Sequence, residues 1–539
     1  MTTAGIGRAS ALLASGTIVS RILGFLRTIL LTVVIGNIGF VADAYNQATY
    51  VPNSIYALIG GGLLTAVLVP QIVRASTGED RGQAYVNKLV TIAVLAFAVV
   101  TVVVTAAAPL LMPLFVANRT ELPIAIAFAY WSLPQLFFLG LYSVLGEVLN
   151  ARRSFGPYTW APVLNNVVAI AVLGLFVALF GLVDSRSPQP FSPGMTALLA
   201  GGATVGIAAQ ALVLTLAWRR AGLTYRPDFQ WRGVNLSATG KAAGWTFGML
   251  ALTQIAGLIE TRVASGASGQ DASVAVMAAA WLIFMLPHSI ITVSLVTVFY
   301  PRMSEHAAAG DTAALRYDVG QALRIVLLVL VLANAALFAA AAPFSAVFSR
   351  SSAGAGAMAL VLLAYLVGLL PFTALFVIQR CFYALADTRT PFRFTLVQLV
   401  FVVTGTLLCT LLPHRFTAAG IALVVSLGAA VQLAVAAALL KRRIGSLGGP
   451  ALLGSLGRYL VAAIPALAAG LGVLALTGGF DGGWSVDGRA GGLAATVLIG
   501  LVVAGVYGGA LAALRAPELG AAARILTARI RPRGGGSTE

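Results

Sequence analysis

The stretch SGTIVSRILGFLRTILLTVVIGNIGFVADAYNQATYVPNSIYALIGGGLLTAVLVP, residues 15–70, determines how the rest of the chain is interpreted. It predicts two membrane-spanning helices joined by a turn at 36–39. An arginine at the centre of a bilayer costs about 2.5–3.5 kcal/mol. The two arginines of the first helix, Arg21 and Arg27, therefore need a wet cavity or an anionic partner. The stretch predicts a transport path for an anion; the alternative is that the arginines pair internally or extend to the membrane surface.

The second predicted helix contains residues that weaken a helix facing lipid. Proline and polar side chains suit a helix that bends and lines a cavity. These residues are Asp43, Asn46, Gln47, Pro52 and Asn53, followed by the glycines at 60–62. We interpret the glycines as a hinge, because no strand or lysine accompanies them as in a phosphate-binding loop.

The composition predicts an all-α integral membrane protein. Of 539 residues, 59% are hydrophobic and 9% are charged, and the mean hydropathy is +0.94. Apolar stretches of about 20 residues, long enough to cross a bilayer, recur along the chain. We predict about fourteen spans, at approximately 9–36, 41–73, 88–116, 122–150, 157–183, 195–218, 240–266, 271–300, 314–349, 355–385, 391–413, 416–440, 455–478 and 490–514.

The positive charges follow the predicted topology. With a cytoplasmic N-terminus, most of the 34 Lys and Arg residues fall on the cytoplasmic side. The outer side receives Arg119, Arg186, Arg262, Arg350, Arg415 and Arg489, and Arg21, Arg27, Arg324 and Arg380 lie within spans. This bias is the positive-inside rule, and it predicts that both termini are cytoplasmic. The net charge of +17 is thus explained by topology and by attraction to anionic membrane lipids rather than by nucleic acid.

An internal repeat divides the chain. VPNSI at 51–55 returns as LPHSI at 286–290, and the same offset carries Arg27 to Arg262. LNARRSFGP, which ends at Pro157, is echoed by YALADTRTP, which ends at Pro391. Because six helices separate the matches, the two lobes are parallel repeats. The predicted division is an N-lobe at 1–220, a C-lobe at 221–445, two extra helices at 446–515 and a basic tail at 516–539.

The sequence offers no catalytic centre. We find no nucleophile–base pair and no carboxylate pair typical of an enzyme, so we predict neither catalysis nor a cofactor. His288 has no cysteine, histidine or acidic cluster near it, and no metal site is assigned. Cys381 and Cys409 both lie in apolar stretches and indicate no disulfide framework.

Several motifs together resemble one family. SRILGFLR at 20–27, ADAYNQATYVPN at 42–53, GEVLNARRSFGPYTWAPVLNN at 146–166 and FYALADTRTP at 382–391 are similar to the MurJ (MviN) lipid II flippases. The resemblance implies the multidrug/oligosaccharidyl-lipid/polysaccharide (MOP) exporter fold, in which two six-helix lobes surround a cavity and the last two helices form a groove for the lipid tail. It also implies that undecaprenyl-diphosphate-linked peptidoglycan precursor moves from the inner to the outer leaflet of the bacterial plasma membrane.

The resemblance assigns site residues. The family's paired arginines correspond to Arg21 and Arg27, and its aspartate corresponds to Asp43; Asn53 is placed in the same substrate site. The family often has a further arginine near Tyr56, and an Arg and a Glu where this chain has Leu282 and Met285. We infer that Arg262 and Arg380 replace part of the missing cationic cluster.

Two other functions remain open at this point. The chain could export another lipid-linked oligosaccharide or a drug, although a cationic drug would favour acidic rather than basic cavity residues. It could also be a transport-inactive scaffold that binds cell-wall synthesis proteins through its basic tail.

Overall fold

The computed structural model describes residues 3–64, 82–152, 154–184, 191–229 and 237–517, and the tail beyond 517 lies outside it. The described residues form helices and contain no β-strand. A helix satisfies its backbone polar groups internally, as the hydrocarbon interior of a membrane requires. The predicted all-α membrane fold is confirmed.

The helices of the first half follow the predicted spans closely. In chain order they are α1 (Thr3–Ile35), α2 (Phe40–Tyr56), α3 (Gln83–Ala106), α4 (Ala108–Phe115), α5 (Leu122–Ser132), α6 (Gln135–Ala151), α7 (Phe155–Phe180), α8 (Pro193–Arg220) and α9 (Ser237–Ala264).

The helices of the second half have about the same average length as those of the first half. They are α10 (Val274–Ala308), α11 (Thr312–Ala339), α12 (Ala341–Val347), α13 (Ser352–Leu366), α14 (Leu369–Ala384), α15 (Arg389–Leu408), α16 (His414–Ile444), α17 (Gly449–Leu476) and α18 (Arg489–Ala513).

The structure does not confirm the predicted number of membrane spans. Within the described ranges, eleven helices are long and apolar enough to cross a membrane, or up to twelve if α13 and α14, which meet at 41°, form one bent span. Helices occupy all fourteen predicted intervals, but α2 and α9 are not among the eleven. In the interval 41–73, α2 has only 17 residues, and residues 65–73 lie outside the description. The count of fourteen is therefore not confirmed.

The described helices form two compact units. The first comprises Met1–Ala279, Phe348–Arg350 and Val403–Ile421, and the second comprises Ala280–Val347, Ser351–Val402 and Ala422–Glu539. Helix α9 thus belongs to the first unit. The predicted lobe boundaries stay a prediction.

The core of the first unit joins α1, α2, α5 and α7. Buried Ile35, Phe128, Leu133 and Phe176 pack in one cluster. The predicted turn at 36–39 is confirmed, because α1 ends at Ile35 and α2 begins at Phe40. Gly36 and Gly39 have φ values of 78° and 138°, a region that a residue with a Cβ enters only at a cost.

The core of the second unit joins α11 to the last two helices. Tyr459 of α17 and Ile499 of α18 are fully buried with residues of α11. The hydroxyl of Tyr507 donates to the carbonyl of Leu328 at 2.9 Å. A Cβ on Gly470 would lie 2.7 Å from Val503 and 2.8 Å from Ala339, so the absence of a side chain lets the three helices approach closely.

A wider helical turn follows each of the two prolines that the predicted repeat matches, Pro52 and Pro287. Pro52 is followed by a π-helical segment at Ala57–Leu64, and Pro287 is followed directly by another at His288–Thr292. The first includes the glycines that the sequence marks as a hinge. π-turns leave local backbone geometry less regular and are frequent at functional sites.

Candidate substrate-binding site

Both arginines of the first helix lie within a predicted membrane span. The span Ser15–Ile35 of α1 runs without interruption past both of them. Six residues of helix correspond to about 9 Å of rise and about 120° of rotation. Arg27 is half-buried and Arg21 is exposed to the surroundings of the protein.

Neither arginine is neutralised by a carboxylate. In the described ranges no carboxylate forms an ion pair with Arg21 or Arg27, whereas Asp318 contacts Arg302 at 2.7 Å and His306 at 3.4 Å. The alternative in which Arg21 and Arg27 pair internally with an acidic residue therefore finds no support in the described part of the chain. Two guanidinium groups without an acidic partner offer the hydrogen-bond donors that an anion with several acceptor oxygens needs; substrate binding by Arg21 and Arg27 stays a prediction.

Helix α7 holds the arginine-bearing segment of α1. The Asn166 side chain donates to the carbonyl of Ser20 at 2.9 Å, and a Cβ on Gly24 would lie 3.6 Å from the same amide nitrogen. A Cβ on Gly16 would lie 2.9 Å from the indole nitrogen of Trp160. These contacts fix α1 against α7 on both sides of Arg21.

Asp43 forms hydrogen bonds with a serine hydroxyl and a backbone N–H rather than an ion pair with an arginine. It is completely buried. Its Oδ2 accepts a hydrogen bond from the Ser268 hydroxyl at 2.7 Å, and its Oδ1 accepts one from the backbone N–H of Ala275 at 2.8 Å. These partners tie the start of α2 to the connection between α9 and α10. A direct contact between Asp43 and substrate stays a prediction.

Asn53 faces outward from α2. It is exposed, and its side-chain nitrogen donates to the carbonyl of Thr49 at 2.7 Å, which leaves its side-chain oxygen available. Tyr56, at the place of the missing family arginine, lies over the following turn, since a Cβ on Gly60 would fall 2.5 Å from its ring.

The other two predicted arginines have partners of a different kind. The guanidinium of Arg262, on α9, donates to the carbonyl of Pro113 and lies 3.5 Å from the carbonyl of Val116. It therefore caps the carboxyl end of α4, where a positive charge is favourable. In the second unit, the Arg380 guanidinium carbon lies 4.9 Å from the ring centre of Phe376 and 5.7 Å from that of Tyr300, a cation–π arrangement.

The structure places His288 among aromatic rings. Its ring centre lies 4.8 Å from that of Phe372 and 5.1 Å from that of Phe376, and Nδ1 is 3.5 Å from the Thr373 hydroxyl. The described part of the chain contains no group of three or more His, Cys, Asp or Glu side chains that could hold a metal ion. The cysteines Cys381 and Cys409 are free and buried.

Sequence reasoning missed three residues that shape this region: Asn166, Ser268 and Glu121. Asn166 lies in the motif VLNN, but nothing in its spacing connects it to Ser20. Ser268 is 225 residues from Asp43 along the chain. The only signal for Glu121 was a lone acid just before an apolar span.

Long apolar helices that carry charged side chains within their spans are typical of a multi-pass membrane transporter, and the known proteins similar to this chain place it more closely. The family described as lipid II flippase MurJ matches residues 34–486, which is most of the chain. This chain belongs to that family, whose members are transporters rather than enzymes.

Individual relatives agree with this assignment. The lipid II flippase MurJ of Burkholderia cenocepacia is 26% identical over 447 residues, which cover 79% of this chain and 82% of that protein. The probable lipid II flippase MurJ of Haemophilus influenzae is 25% identical over 412 residues, covering 71% of this chain and 77% of the relative.

Solved structures agree on the fold. A lipid II flippase MurJ in an inward closed conformation superimposes with a TM-score of 0.70 at 17% identity, covering 92% of this chain and 98% of that one. A MATE transporter in complex with MaL6 superimposes with a TM-score of 0.58 at 17% identity, covering 81% and 96%. The chain thus has the fold shared by these MurJ and MATE structures, as predicted.

Proposed function

We propose that this chain translocates lipid II, the undecaprenyl-diphosphate-linked peptidoglycan precursor, across the bacterial plasma membrane. The observation that carries the proposal is the pair Arg21 and Arg27, two cations in an apolar span with no carboxylate ion pair in the described structure. The family assignment supplies the identity of the anion.

The chemistry of the arginines fits a diphosphate. A guanidinium is planar, stays charged and donates two parallel hydrogen bonds to phosphate oxygens. Two arginines about 9 Å apart along α1 would contact different oxygens of one diphosphate or hold it successively. Asp43, Asn53, Arg262 and Arg380 are proposed as further contacts to the headgroup, and the free side-chain oxygen of Asn53 suits a sugar hydroxyl.

The transport step is proposed to be alternating access between lobes at 1–220 and 221–445. The diphosphate enters from the cytoplasm, binds the arginines, and leaves when the site opens outward. The polyprenyl tail stays in lipid along α17 and α18, whose outer faces carry exposed apolar side chains such as Leu453, Ile464 and Leu501. An inside-negative potential favours outward movement of an anion by about 2.3 kcal/mol per charge per 100 mV.

The chain is a multi-pass protein of the bacterial cell membrane. We propose that both termini are cytoplasmic, following the charge bias. The basic residues of the tail, which lie outside the described ranges, are proposed to contact anionic membrane lipids and to be available to cell-wall synthesis proteins.

The decisive experiment is replacement of the resident flippase. Cells depleted of their own lipid II flippase should grow, and should expose lipid II at the outer face of the membrane, when this chain is expressed. Growth should fail when Arg21→Ala and Arg27→Ala are combined at the same membrane level.

Two results would contradict the proposal. Absence of translocation by the wild-type chain at normal membrane levels would favour a scaffold. Restored growth without exposure of lipid II would point to another exported substrate.

A further inference from the structure

Two buried carboxyl groups lie together in the first unit, outside the pair of arginines. Asp43 is in the first turn of α2, and Glu121 directly precedes α5. Both residues have an exposed fraction of 0%. The cores of α2 and α5 pack in the same cluster, where the Tyr45 ring centre lies 5.6 Å from that of Phe128.

The hydrogen bonds in this place are distributed unequally. Both Asp43 oxygens accept from fixed donors, the Ser268 hydroxyl and the Ala275 N–H. Neither Glu121 oxygen accepts a hydrogen bond from the described residues. Ser268 is near both carboxyl groups, but its single proton goes to Asp43. Glu121 is therefore a fully buried polar side chain facing the pair without a donor of its own.

No cation compensates the two acids. Of the charged residues on the surrounding elements, Arg119 is exposed and Arg262 is committed to the carbonyls at the end of α4. The other two charged residues, Glu260 of α9 and Asp271 of the connection after it, are acids and so cannot balance the negative charge of the pair. The ion pairs of Asp318 with Arg302 and His306 lie in the second unit. Two adjacent buried carboxylates without a counter-charge are strongly unfavourable.

We propose that Asp43 and Glu121 form a proton-binding carboxyl pair, which holds one proton on Glu121 while it is buried and releases it when the transport cycle exposes the pair to water. In the release step the O–H bond of Glu121 breaks, the proton passes to water, and a carboxylate remains. The proton site rests on the burial of both carboxyl groups and on Ser268, which donates to Asp43 and whose carbonyl accepts from Asn118, three residues before Glu121. Its coupling to transport rests on the proposed function.

The two carboxyl groups have different parts in the pair. Donors from Ser268 and Ala275 favour the charged form of Asp43, whereas Glu121 has no fixed donor, so Glu121 is the better of the two places for a shared proton. Burial, and then the negative charge of Asp43, raise the pKa of Glu121 to about 9, while the Ser268 hydroxyl opposes this shift more weakly. At neutral pH Glu121 is protonated in the buried arrangement. In water a glutamic acid has a pKa of about 4.3, so exposure releases the proton.

A proton fits this place better than a metal cation. A cation needs several oxygen lone pairs directed at it, whereas both Asp43 oxygens are occupied by N–H and O–H donors. The described ranges also contain no cluster of three acidic, His or Cys side chains that would complete such a site.

The test is an infrared titration of the full-length protein in lipid nanodiscs. The C=O stretching band of a protonated carboxyl group should be present at neutral pH in the wild type and should disappear as the pH rises through about 9. The component of the band that titrates near pH 9 should be absent in Glu121→Gln and unchanged in Glu305→Gln, a matched control at an exposed acid of α10. Absence of the band from the wild type at neutral pH would overturn the proposal without any variant.

Two further measurements distinguish a proton from a sodium ion at this site, and a failure of the proton site from a failure of its coupling to transport. Sodium chloride in place of choline chloride should leave the titration unchanged; a midpoint that falls as sodium rises would identify a sodium site and overturn the proton assignment. In translocation assays, the rate of the wild type should vary with pH between 7 and 9.5, and that of Glu121→Gln should not. If the wild type shows the band but does not translocate lipid II, the proposed function is refuted and the proton site is not. If the translocation rates of the wild type and of Glu121→Gln depend equally on pH, the coupling of the proton to transport is refuted.

Discussion

Arg21 and Arg27 differ in burial although both lie in one span. Arg27 is half-buried, whereas Arg21 is exposed to whatever surrounds the helix. A water-filled cavity would reduce the free-energy cost of placing Arg21 within the membrane, because a guanidinium in contact with water keeps its hydration. The half-buried Arg27 has lost part of that hydration and gains more from a phosphate. We therefore expect Arg27 to contribute more to binding than Arg21.

Substitution of the two arginines tests this difference. Arg27→Ala should lower lipid II translocation by about tenfold or more, because hydrogen bonds to charged groups contribute about 1.5–3 kcal/mol. Arg21→Ala should have a smaller effect. Arg21→Lys and Arg27→Lys should recover part of the rate, since lysine retains the positive charge but lacks the two parallel N–H donors of the guanidinium. The measurement is the appearance of labelled lipid II at the outer face at equal membrane levels. Arg219→Ala, which removes an exposed arginine of α8, is the control.

Near-normal translocation by both alanine variants would remove the arginines from the mechanism. It would leave the family assignment and the fold unaffected.

At the scale of single residues, the sequence predicts charges better than their partners. The presence of Arg21, Arg27 and Asp43 in apolar spans could be read directly, because a charge in such a span is conspicuous. The partners of Asp43, in contrast, are a serine and a backbone N–H more than 220 residues away. Such contacts depend on which helices pack together, and a single sequence carries no measure of that. The same holds for Arg262, whose partners are backbone carbonyls.

At the scale of elements, the connection between α14 and α15 illustrates how local chemistry sets a helix boundary. Ala386 has a φ of 55°, and the N–H groups of Ala386 and Asp387 donate back to the carbonyls of Tyr383 and Phe382 at 3.0 and 2.9 Å. This arrangement ends α14 with a left-handed residue where glycine is usual. The Asp387 side chain then begins α15 by accepting from the N–H groups of Arg389 and Thr390 at 3.1 and 3.0 Å.

Glycine at position 386 should stabilise the protein. A non-glycine residue in the left-handed region costs about 1–2 kcal/mol, and Ala386→Gly removes that cost while it leaves the two hydrogen bonds in place. We expect a higher midpoint of thermal unfolding in detergent. Ala374→Gly, in the interior of α14, should lower it, because glycine destabilises a helix interior. A decrease for Ala386→Gly comparable to that of the control would show that the left-handed residue is not strained.

The Asp387 side chain should stabilise the start of α15 in a pH-dependent way. Burial opposes its ionisation, but the hydrogen bonds from Thr390 and Arg389 and the positive charge of Arg443 outweigh this effect and lower the pKa of Asp387. A lowered pKa means that the stabilisation is complete above the pKa of the unfolded chain, about 3.9, and is lost as the pH falls below it. Asp387→Ala should lower stability by about 1 kcal/mol at neutral pH.

The check on this prediction is thermal unfolding at several pH values. Asp387→Asn, which retains an acceptor oxygen, should be less destabilising than Asp387→Ala. Both differences from the wild type should shrink towards pH 3. A constant difference across the range would mean that the charge of Asp387 does not contribute.

Element boundaries followed from the sequence, and breaks within elements did not. The interval 122–150 was predicted as one span, and the structure has Leu122–Ala151, but the helix is interrupted between Ser132 and Gln135. Pro134, which has no N–H, accounts for the break. The π-turns after Pro52 and Pro287 were signalled only by the proline and, in the first case, by the glycines. Hydrophobicity determines where a span lies, whereas local hydrogen bonding decides whether it stays regular.

At the scale of the whole molecule, the charge bias makes a prediction about sidedness. If the N-terminus is cytoplasmic, Asp184 and Asp481 are exposed residues at the outer surface and Arg226 is exposed at the inner surface. In intact cells, a membrane-impermeant maleimide should label Asp184→Cys and Asp481→Cys, and it should label Arg226→Cys only after lysis. The native Cys381 and Cys409 are buried, and the protein without introduced cysteines measures their background. Labelling of Arg226→Cys from outside would invert or change the proposed topology.

The packing of α17 and α18 against α11 has a consequence for biogenesis. Of the candidate spans in the described chain, α11 has the largest buried share, and much of its cover comes from Tyr459, Ile499 and Tyr507 near the end of the chain. During synthesis α11 enters the membrane long before these residues leave the ribosome. Until then, lipid must cover the face of α11 that later contacts α17 and α18. This face carries Leu327, Leu328 and Val331, and lipid solvates such apolar side chains with little loss of free energy. Assembly of the second unit is thus completed by the last-made helices, which displace lipid from a surface inserted much earlier.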